Sequence, residues 1–395
     1  MKKLLLIISF LMNCSLYAQS CSKPDETYEA NETNIDYIYD ENDNNKEFDL
    51  NLEKRKINSE KYYIALKNIF LENNNINIQL FALSYSYDEK QMDIEKSKIV
   101  LKKAINKNSS AYTLYQAVLL CENNDQLRDW CHQQKIHQIQ QKIDSTNIYS
   151  YIFALHKNDT IDSSAYMIEL AAQNSNYSDS FFYHDIAIIA DQIHIFNQGN
   201  PELYYRAAYG ANKESSQSVY KEFKQEIQDK RLIEKGLIAK DFDLTNTEHS
   251  TVLQVLGIRM GQTISFKNLS IACKTSVIAE NCMKIAKLLQ NDTTMIGKSI
   301  GFSLQKQSLE LLGRDQSEIN KVNQLMNKIY AKVSCLNQPE DIYYAQMYNK
   351  GLMQKYMLDA DKFGEVKALE NLVFKVYNIE KQHGFNPDFN PLDCQ

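Results

Sequence analysis

The stretch Ser110–Cys131, SAYTLYQAVLLCENNDQLRDWC, decides the fold class. Its first half begins with a serine that can cap a helix and continues with apolar residues at helical spacing. The polar turn Glu122–Asp125 then separates Cys121 from Cys131. In one unbroken helix the two cysteines would lie about 15 Å apart, too far for a disulfide. With a turn between them they can meet, so the stretch predicts two antiparallel helices joined by a Cys121–Cys131 disulfide.

The same arrangement recurs later in the chain. Cys273 and Cys282 flank the polar segment Lys274-Thr275-Ser276, which predicts a second cross-linked helical hairpin. Cys335 and Cys394 remain, and we predict that they form the third disulfide. None of these spacings is the C-x-x-C pattern that is typical of metal or redox sites.

The composition favours helices over sheets. The 395 residues include 11 glycines and 5 prolines, and 44% of the residues are apolar. Average usage is roughly 7% glycine and 5% proline, and sheet-rich folds need both in their tight turns. The two prolines inside the body, Pro201 and Pro339, each stand where a helix can begin. We therefore predict an all-α fold with short polar links.

A weak repeat runs through the first half of the chain. The segment Lys107–Tyr112 corresponds to Asp144–Tyr149 and more loosely to Asn176–Phe182. The spacing of its aromatic residues is the length of one helical hairpin. In this respect the region 75–215 resembles tetratricopeptide-like arrays. The resemblance implies a right-handed array of antiparallel helical hairpins over residues 57–215, which residues 216–395 would continue or cap.

The N-terminus has the layout of a secretory signal. Lys2 and Lys3 precede a short apolar run, and small residues precede a cleavage point before Cys21. We predict a signal peptide over residues 1–20 and a flexible acidic leader over residues 21–56. A cysteine directly after the cut resembles the bacterial lipobox, which implies lipidation of Cys21. The alternative is an ordinary signal with a coincidental cysteine.

Cysteine parity bears on this choice. Cleavage removes Cys14 and leaves seven cysteines, an odd number in an oxidising compartment. Acylation of Cys21 would leave six that can pair. The predicted location is the periplasm or, as a lipoprotein, the outer membrane of a bacterium. Net charge is −6, and an acidic chain disfavours nucleic acid as a partner.

Several side-chain groups could suggest chemistry. His184, Asp185, Asp191 and His194 are expected on one helix, where the two histidines would lie about 15 Å apart and could not share a metal. Asp359 and Asp361 are interpreted as a solvated pair of acids. His132 directly follows Cys131, and the two side chains point in different directions on a helix. We therefore expect neither a metal site nor a cofactor.

The segment Gly297–Gly301, GKSIG, matches the G-x-S-x-G pattern of a nucleophile elbow. Ser299 would be the nucleophile and His383 its base. That chemistry needs a strand, a turn and a helix, and no strand pattern precedes the motif. The simpler interpretation is that two glycines allow helices to pack closely.

These observations predict an exported helical scaffold that binds a protein or peptide partner in the cell envelope, without catalysis. The alternative is an exported hydrolase that uses Ser299.

Overall fold

A computed structural model describes residues 44–84, 93–106, 108–155, 161–209, 225, 227–240, 251, 255–256, 259 and 266–394. Within these ranges, side chains are described from residue 57 onward, apart from those of residues 161, 208, 209 and 347. The predicted signal peptide, Cys21 and the first part of the predicted leader lie outside these residues.

The described chain is helical, and the prediction of an all-α fold is confirmed for it. The α-helices in chain order are α1 (Asn44–Leu71), α2 (Ile76–Ser84), α3 (Ile94–Ala104), α4 (Ala111–Glu122), α5 (Asp125–Gln133), α6 (Ile136–Ile143), α7 (Tyr149–Ile152), α8 (Ile161–Asn174), α9 (Ile186–Gly199), α10 (Pro201–Tyr209), α11 (Lys267–Ala272), α12 (Ala279–Leu289), α13 (Met295–Leu311), α14 (Gln316–Leu336), α15 (Glu340–Tyr348), α16 (Lys350–Phe363) and α17 (Glu365–Gln382). Short 3-10 turns cover Ser276–Ile278 and Pro391–Cys394. Among the described residues, no helix combines the length and the apolar composition needed to cross a membrane.

Local sequence signals set several helix starts. The Ser110 side chain accepts a hydrogen bond from the backbone N–H of Thr113 and so caps α4. Asn124 caps α5 in the same way through the N–H of Leu127. These caps satisfy backbone donors that have no partner inside the helix. Pro201 opens α10, as its position in the sequence predicts.

The three predicted disulfides are confirmed. Cys121 and Cys131 join the end of α4 to α5, with their Cα atoms 6.1 Å apart. Cys273 and Cys282 join the residue after α11 to α12 at 5.8 Å. The third pair, Cys335 and Cys394, fixes the C-terminal turn to α14 at 5.6 Å. The first two bridges each close a short turn between helices, whereas the third joins residues 59 apart in sequence and closes a loop that contains α15, α16 and α17.

Helices that are distant in sequence also pack together. One continuous apolar core runs from Tyr62 on α1 to Ala368 on α17. Helix α1 contacts α10, helix α8 contacts α12, and α9 contacts α16. In an open array each unit contacts only its neighbours. Here α1 contacts α10, although these two helices lie at opposite ends of the described part of region 57–215. The tetratricopeptide-like arrangement itself stays a prediction.

Close approach of α12 and α13 depends on glycine. A Cβ atom at Gly301 would lie 2.6 Å from the backbone nitrogen of Gln290 and 2.7 Å from the carbonyl oxygen of Ala286. A Cβ atom at Gly297 would collide with the carboxyl group of Asp292. The interpretation of these two glycines as close-packing residues is therefore confirmed.

Replacing Gly301 tests this packing. We expect Gly301→Ala to lower the free energy of unfolding by roughly 1–3 kcal/mol, because the new methyl group meets backbone atoms that cannot rotate away. Gly199→Ala is the matched control, since a Cβ atom there meets nothing within 4 Å. Chemical denaturation should show no loss for the control. Equal losses in the two variants would contradict the close-packing role.

Candidate functional site

Polar and aromatic side chains from three parts of the chain meet beside α9. They come from the start of α4, from the loop before α9 and from the end of α16. We call this group the acidic–aromatic cluster, and its members are Tyr112, Asp179, Phe181, His184, Asp185 and Asp361.

His184 lies at the centre of the cluster between two acids. Its Nδ1 atom is 3.5 Å from Oδ2 of Asp361, and its Nε2 atom is 3.9 Å from Oδ1 of Asp185. The contact with Asp361 is the main reason that the pKa of His184 is raised above its usual 6.5, although partial burial opposes the rise. The imidazole therefore carries a larger share of positive charge at a given pH than a solvated histidine would.

Two aromatic rings flank the imidazole. The ring centroid of Tyr112 is 4.3 Å from that of His184, and the centroid of Phe181 is 6.1 Å away. The Tyr112 hydroxyl donates a hydrogen bond of 3.4 Å to the backbone carbonyl of His184. The rings give the cluster a flat apolar wall beside its carboxylates.

A buried arginine lies behind that wall. Arg259 is only 3% exposed, and its guanidinium donates to the hydroxyl of Tyr112 and to the side-chain oxygen of Gln116. Its Nε–H has no hydrogen-bond partner. The charge of Arg259 lowers the pKa of Tyr112, but burial has the larger effect and the pKa is raised overall.

The loop that carries most of the cluster is held in an unusual backbone conformation. Phe181 and Asp185 have φ angles of 49° and 58°, which side chains other than glycine rarely adopt. The Asp179 carboxylate accepts a hydrogen bond of 2.8 Å from the N–H of Phe181. The Asn147 side chain donates to the carbonyl of Asp179 at 2.9 Å and accepts from its N–H at 3.3 Å. These bonds hold the loop in its strained form.

Asp179 is the most perturbed acid of the cluster. Its pKa rises from 3.8 to about 6, chiefly because burial disfavours the charged carboxylate. The charges of Asp292 and Asp361 add to the rise, while the hydrogen bond from Phe181 and the charge of His184 oppose it. The hydrogen bond and the charge of His184 therefore do not fully offset the cost of burying the ionised Asp179 carboxylate, which lies beside the partly exposed side chains of the cluster.

Asp292 and Glu365 hold the base of the loop. Asp292 is fully buried and accepts hydrogen bonds from the Ser178 hydroxyl and from the N–H and hydroxyl of Thr294, the latter two at 2.8 and 2.7 Å. Glu365 accepts from the Tyr183 hydroxyl at 2.5 Å and from the N–H of Met295, the first residue of α13, at 2.6 Å. Burial raises the pKa of both carboxyl groups. Both therefore fasten the loop before α9 to the start of α13.

Ser299 and His383 lie in other surroundings. Ser299 is inside α13, where its hydroxyl donates to the carbonyl of Met295 at 2.7 Å and lies 2.5 Å from the Tyr330 hydroxyl. His383 follows α17, and its Nδ1 atom is 2.9 Å from the carbonyl of Ile379. Among the described contacts of these two residues, none joins the serine to the histidine.

Two expectations about acids and histidines need correction. The sequence predicts one helix that carries His184, Asp185, Asp191 and His194, but α9 begins at Ile186, so His184 lies in the preceding loop. Asp359 and Asp361 were interpreted as a solvated pair, but both lie on α16 and Asp359 is 3% exposed. Asp359 accepts hydrogen bonds from Lys355 and Asn371 instead.

The pairing of His184 with Asp361 left no local signal in the sequence. His184 lies in the loop before α9 and Asp361 lies on α16, and the two residues meet only because α9 packs against α16. A pattern of hydrophobic residues predicts which face of a helix is buried, but it does not identify the neighbouring helix.

Comparison with protein-family models, with curated proteins and with solved structures finds no match to the chain.

Removing the charge of Asp179 should stabilise the protein. A carboxyl group with a pKa of about 6 in the folded state and an ordinary value of 3.8 favours folding when it is protonated, and this stability is lost as the pH rises through 6. At pH 8 we expect Asp179→Asn to raise the free energy of unfolding by roughly 2–3 kcal/mol. Near pH 4 the variant and the parent should be about equally stable.

Urea denaturation at the two pH values measures this difference. Asp388→Asn is the matched control, because it removes one exposed carboxylate from a C-terminal bend. A gain in stability for Asp179→Asn that is the same at both pH values would show that the charge is not its source.

Proposed function

We propose that the chain is an exported helical binding protein whose acidic–aromatic cluster holds a cationic side chain of a protein or peptide partner. The observation that carries the proposal is the charge of the cluster. Three carboxylates, those of Asp179, Asp185 and Asp361, surround a single imidazole. Above pH 6 the three carboxylates outweigh the imidazole and the buried guanidinium of Arg259 together, so the cluster attracts positive charge.

The cluster is accessible to a ligand. The His184 side chain is 41% exposed and that of Asp361 is 36% exposed, whereas Asp185 is more buried at 17%. The rings of Tyr112 and Phe181 lie beside these groups. A lysine or arginine side chain suits this combination, because its stem packs on aromatic rings while its charged end meets carboxylates.

The raised pKa of Asp179 supports the same ligand. Burial makes the ionised carboxylate unfavourable in the free protein. A bound cation would offset that penalty. Part of the binding free energy would therefore come from stabilising the buried, ionised carboxylate of Asp179. Hydrogen bonds between Asn147 and the backbone of Asp179 already hold the loop, which reduces the entropy lost when a ligand binds.

Export is part of the proposal. Three disulfides are typical of an oxidising compartment. They use six of the seven cysteines that follow residue 20, and Cys21 is the remaining one. This supports lipidation of Cys21 and attachment to the bacterial envelope, in the periplasm or at the outer membrane.

The hairpin array belongs to the same proposal. Helices α4, α5 and α6 pack consecutively, each against the next, and α4 supplies Tyr112 to the cluster. Stacked hairpins of the tetratricopeptide-like kind would offer the partner an extended binding surface around the acidic–aromatic cluster.

A binding titration with short peptides tests the function. We expect a fluorescently labelled peptide rich in lysine and arginine to bind at pH 7.5, and an acidic peptide of equal length not to bind. Asp361→Asn should weaken binding of the basic peptide by roughly 10-fold, in line with loss of a partly buried charge pair. Affinity should also fall with added salt.

Two comparisons make the result specific. Asp388→Asn lowers the negative charge equally but lies in an exposed bend of the C-terminal segment, so it should leave the affinity unchanged. Affinity for the basic peptide should decrease as the pH falls through about 6, because Asp179 becomes protonated. Equal weakening by Asp361→Asn and Asp388→Asn would mean that only net charge matters and would refute the proposed site.

A further inference from the structure

A second group of chemically reactive side chains lies at the first disulfide hairpin, on helices α4, α5 and α6. It consists of Glu122, His132 and His137, and we call it the hairpin site. One carboxylate oxygen and one nitrogen from each imidazole lie within 4.8 Å of one another. Two imidazoles and one carboxylate are a common ligand set for zinc in proteins.

The disulfide positions two of the three ligands. Glu122 directly follows Cys121 at the end of α4, and His132 directly follows Cys131 in the last turn of α5. The Cα atoms of the two cysteines are 6.1 Å apart, so the bridge brings both ligand-bearing residues together. The hairpin therefore restrains two ligands before any ion binds, which reduces the entropy lost on coordination.

The third ligand comes from the next helix. Lys135 has a φ of 56°, and this left-handed residue turns the chain between α5 and α6. His137 follows in the first turn of α6, and its Nε2 atom lies 2.9 Å from Oε1 of Glu122. The ring centroids of His132 and His137 are 6.0 Å apart.

The separation of the Glu122 and His137 ligand atoms is close to the spacing of two ligands around a bound ion. Zinc bonds of about 2.0–2.1 Å in a tetrahedral arrangement place neighbouring ligand atoms roughly 3.3 Å apart. The Glu122–His137 pair already lies near this value. The side chain of His132 is exposed, so it can rotate toward the other two without disturbing the core.

Burial leaves one side of the site open. His137 is 8% exposed and Glu122 is partly buried, while His132 faces solvent. An ion could enter from the side of His132 and keep a water molecule as a further ligand, as open zinc sites do.

Arg128 supports the carboxylate from the opposite side. Its Nη2 group donates to the backbone carbonyl of Glu122 at 2.7 Å, and its Nε atom is 4.0 Å from Oε2. The Arg128 guanidinium is also bound to Asp125 at 2.6 Å, which offsets part of its charge. Oε2 therefore faces the arginine while Oε1 faces His137, and such second contacts orient a metal ligand.

We propose that Glu122, His132 and His137 bind a divalent transition-metal ion, with Zn²⁺ as the favoured ion. Zn²⁺ has no redox chemistry and takes nitrogen and oxygen ligands readily. Binding replaces the hydrogen bond between Glu122 and His137 with two metal bonds and requires both imidazoles to be neutral at their ligating nitrogens. The sequence disfavoured a metal here because Cys131 and His132 point apart, but Cys131 is in a disulfide and the ligands lie on three helices.

The site does not rest on the acidic–aromatic cluster and can be tested separately. The full chain is treated with a chelator, dialysed and titrated with Zn²⁺ by calorimetry, and with Co²⁺ while its visible absorption is recorded. We expect one equivalent of each ion to bind at this site. Co²⁺ should give the intense absorption of a tetrahedral or five-coordinate complex with nitrogen ligands.

Variants identify the ligands. His132→Ala and Glu122→Gln should each lower the Zn²⁺ affinity by at least the roughly 10- to 100-fold that is typical of losing an outer-shell partner. His194→Ala on α9 is the matched control and should bind Zn²⁺ as the parent does. His132 is exposed, so its replacement leaves the fold intact even if a variant at buried His137 does not fold.

Three results would overturn the proposal. One is the absence of any Zn²⁺ or Co²⁺ binding by the folded parent protein. Another is binding that is unchanged in both His132→Ala and Glu122→Gln, since the ion would then be held elsewhere. The third is a loss in His194→Ala equal to that in His132→Ala, which would likewise place the ion at a different site.

Discussion

The buried carboxylate of Asp292 connects parts of the chain that are far apart in sequence. It accepts hydrogen bonds from Ser178 in the loop before α9 and from Thr294 at the start of α13, and Tyr149 on α7 also bonds to it. A fully buried carboxylate is stable only when its oxygens are satisfied in this way. Gly297 leaves the space that the carboxyl group occupies. The position of the loop before α9 therefore depends on a polar contact rather than on apolar packing alone.

The acidic–aromatic cluster depends on that anchor. Ser178 and Asp179 are consecutive, so the contact of Ser178 with Asp292 fixes one end of the segment that leads to His184. The contact of Tyr183 with Glu365 fixes the other end beside α17. The backbone takes a positive φ angle at Phe181 between these two points and a second one at Asp185 just after them. A loop fixed at both ends can present partly buried acids to solvent without collapsing onto the core, as a binding site requires.

Two of the three disulfides act at a more local level. Cys121–Cys131 and Cys273–Cys282 each join elements separated by a turn, and the Cys121–Cys131 bridge also lies directly beside the hairpin site. The acidic–aromatic cluster is built instead from the loop before α9 and from residues of α4 and α16, which come together because α9 packs against α16. The two sites thus share α4 but depend on different constraints. The cluster needs long-range packing, whereas the hairpin site is formed within residues 122–137.

Local features of the chain were predictable from sequence. Scarce glycine and proline and helical spacing predict helices, because these are properties of neighbouring residues. The same reasoning predicts the cap at Ser110, the helix start at Pro201 and the hairpin disulfides, because each depends on residues that are close together in sequence. The close-packing role of Gly301 was also correctly inferred, because the alternative role of its motif needed a strand that the pattern lacked.

The sequence by itself therefore determined the helical class, several helix starts and the cysteine pairs across turns. Only the tertiary structure decided that His184 contacts Asp361, that Asp359 is buried and that Asp292 accepts a hydrogen bond from Ser178. The physical reason is that periodicity records how much apolar surface a helix buries, but not which helix covers it. A charge or hydrogen bond between distant helices adds no periodic signal, so the acidic–aromatic cluster emerged only from the packing of α9, α13, α16 and α17.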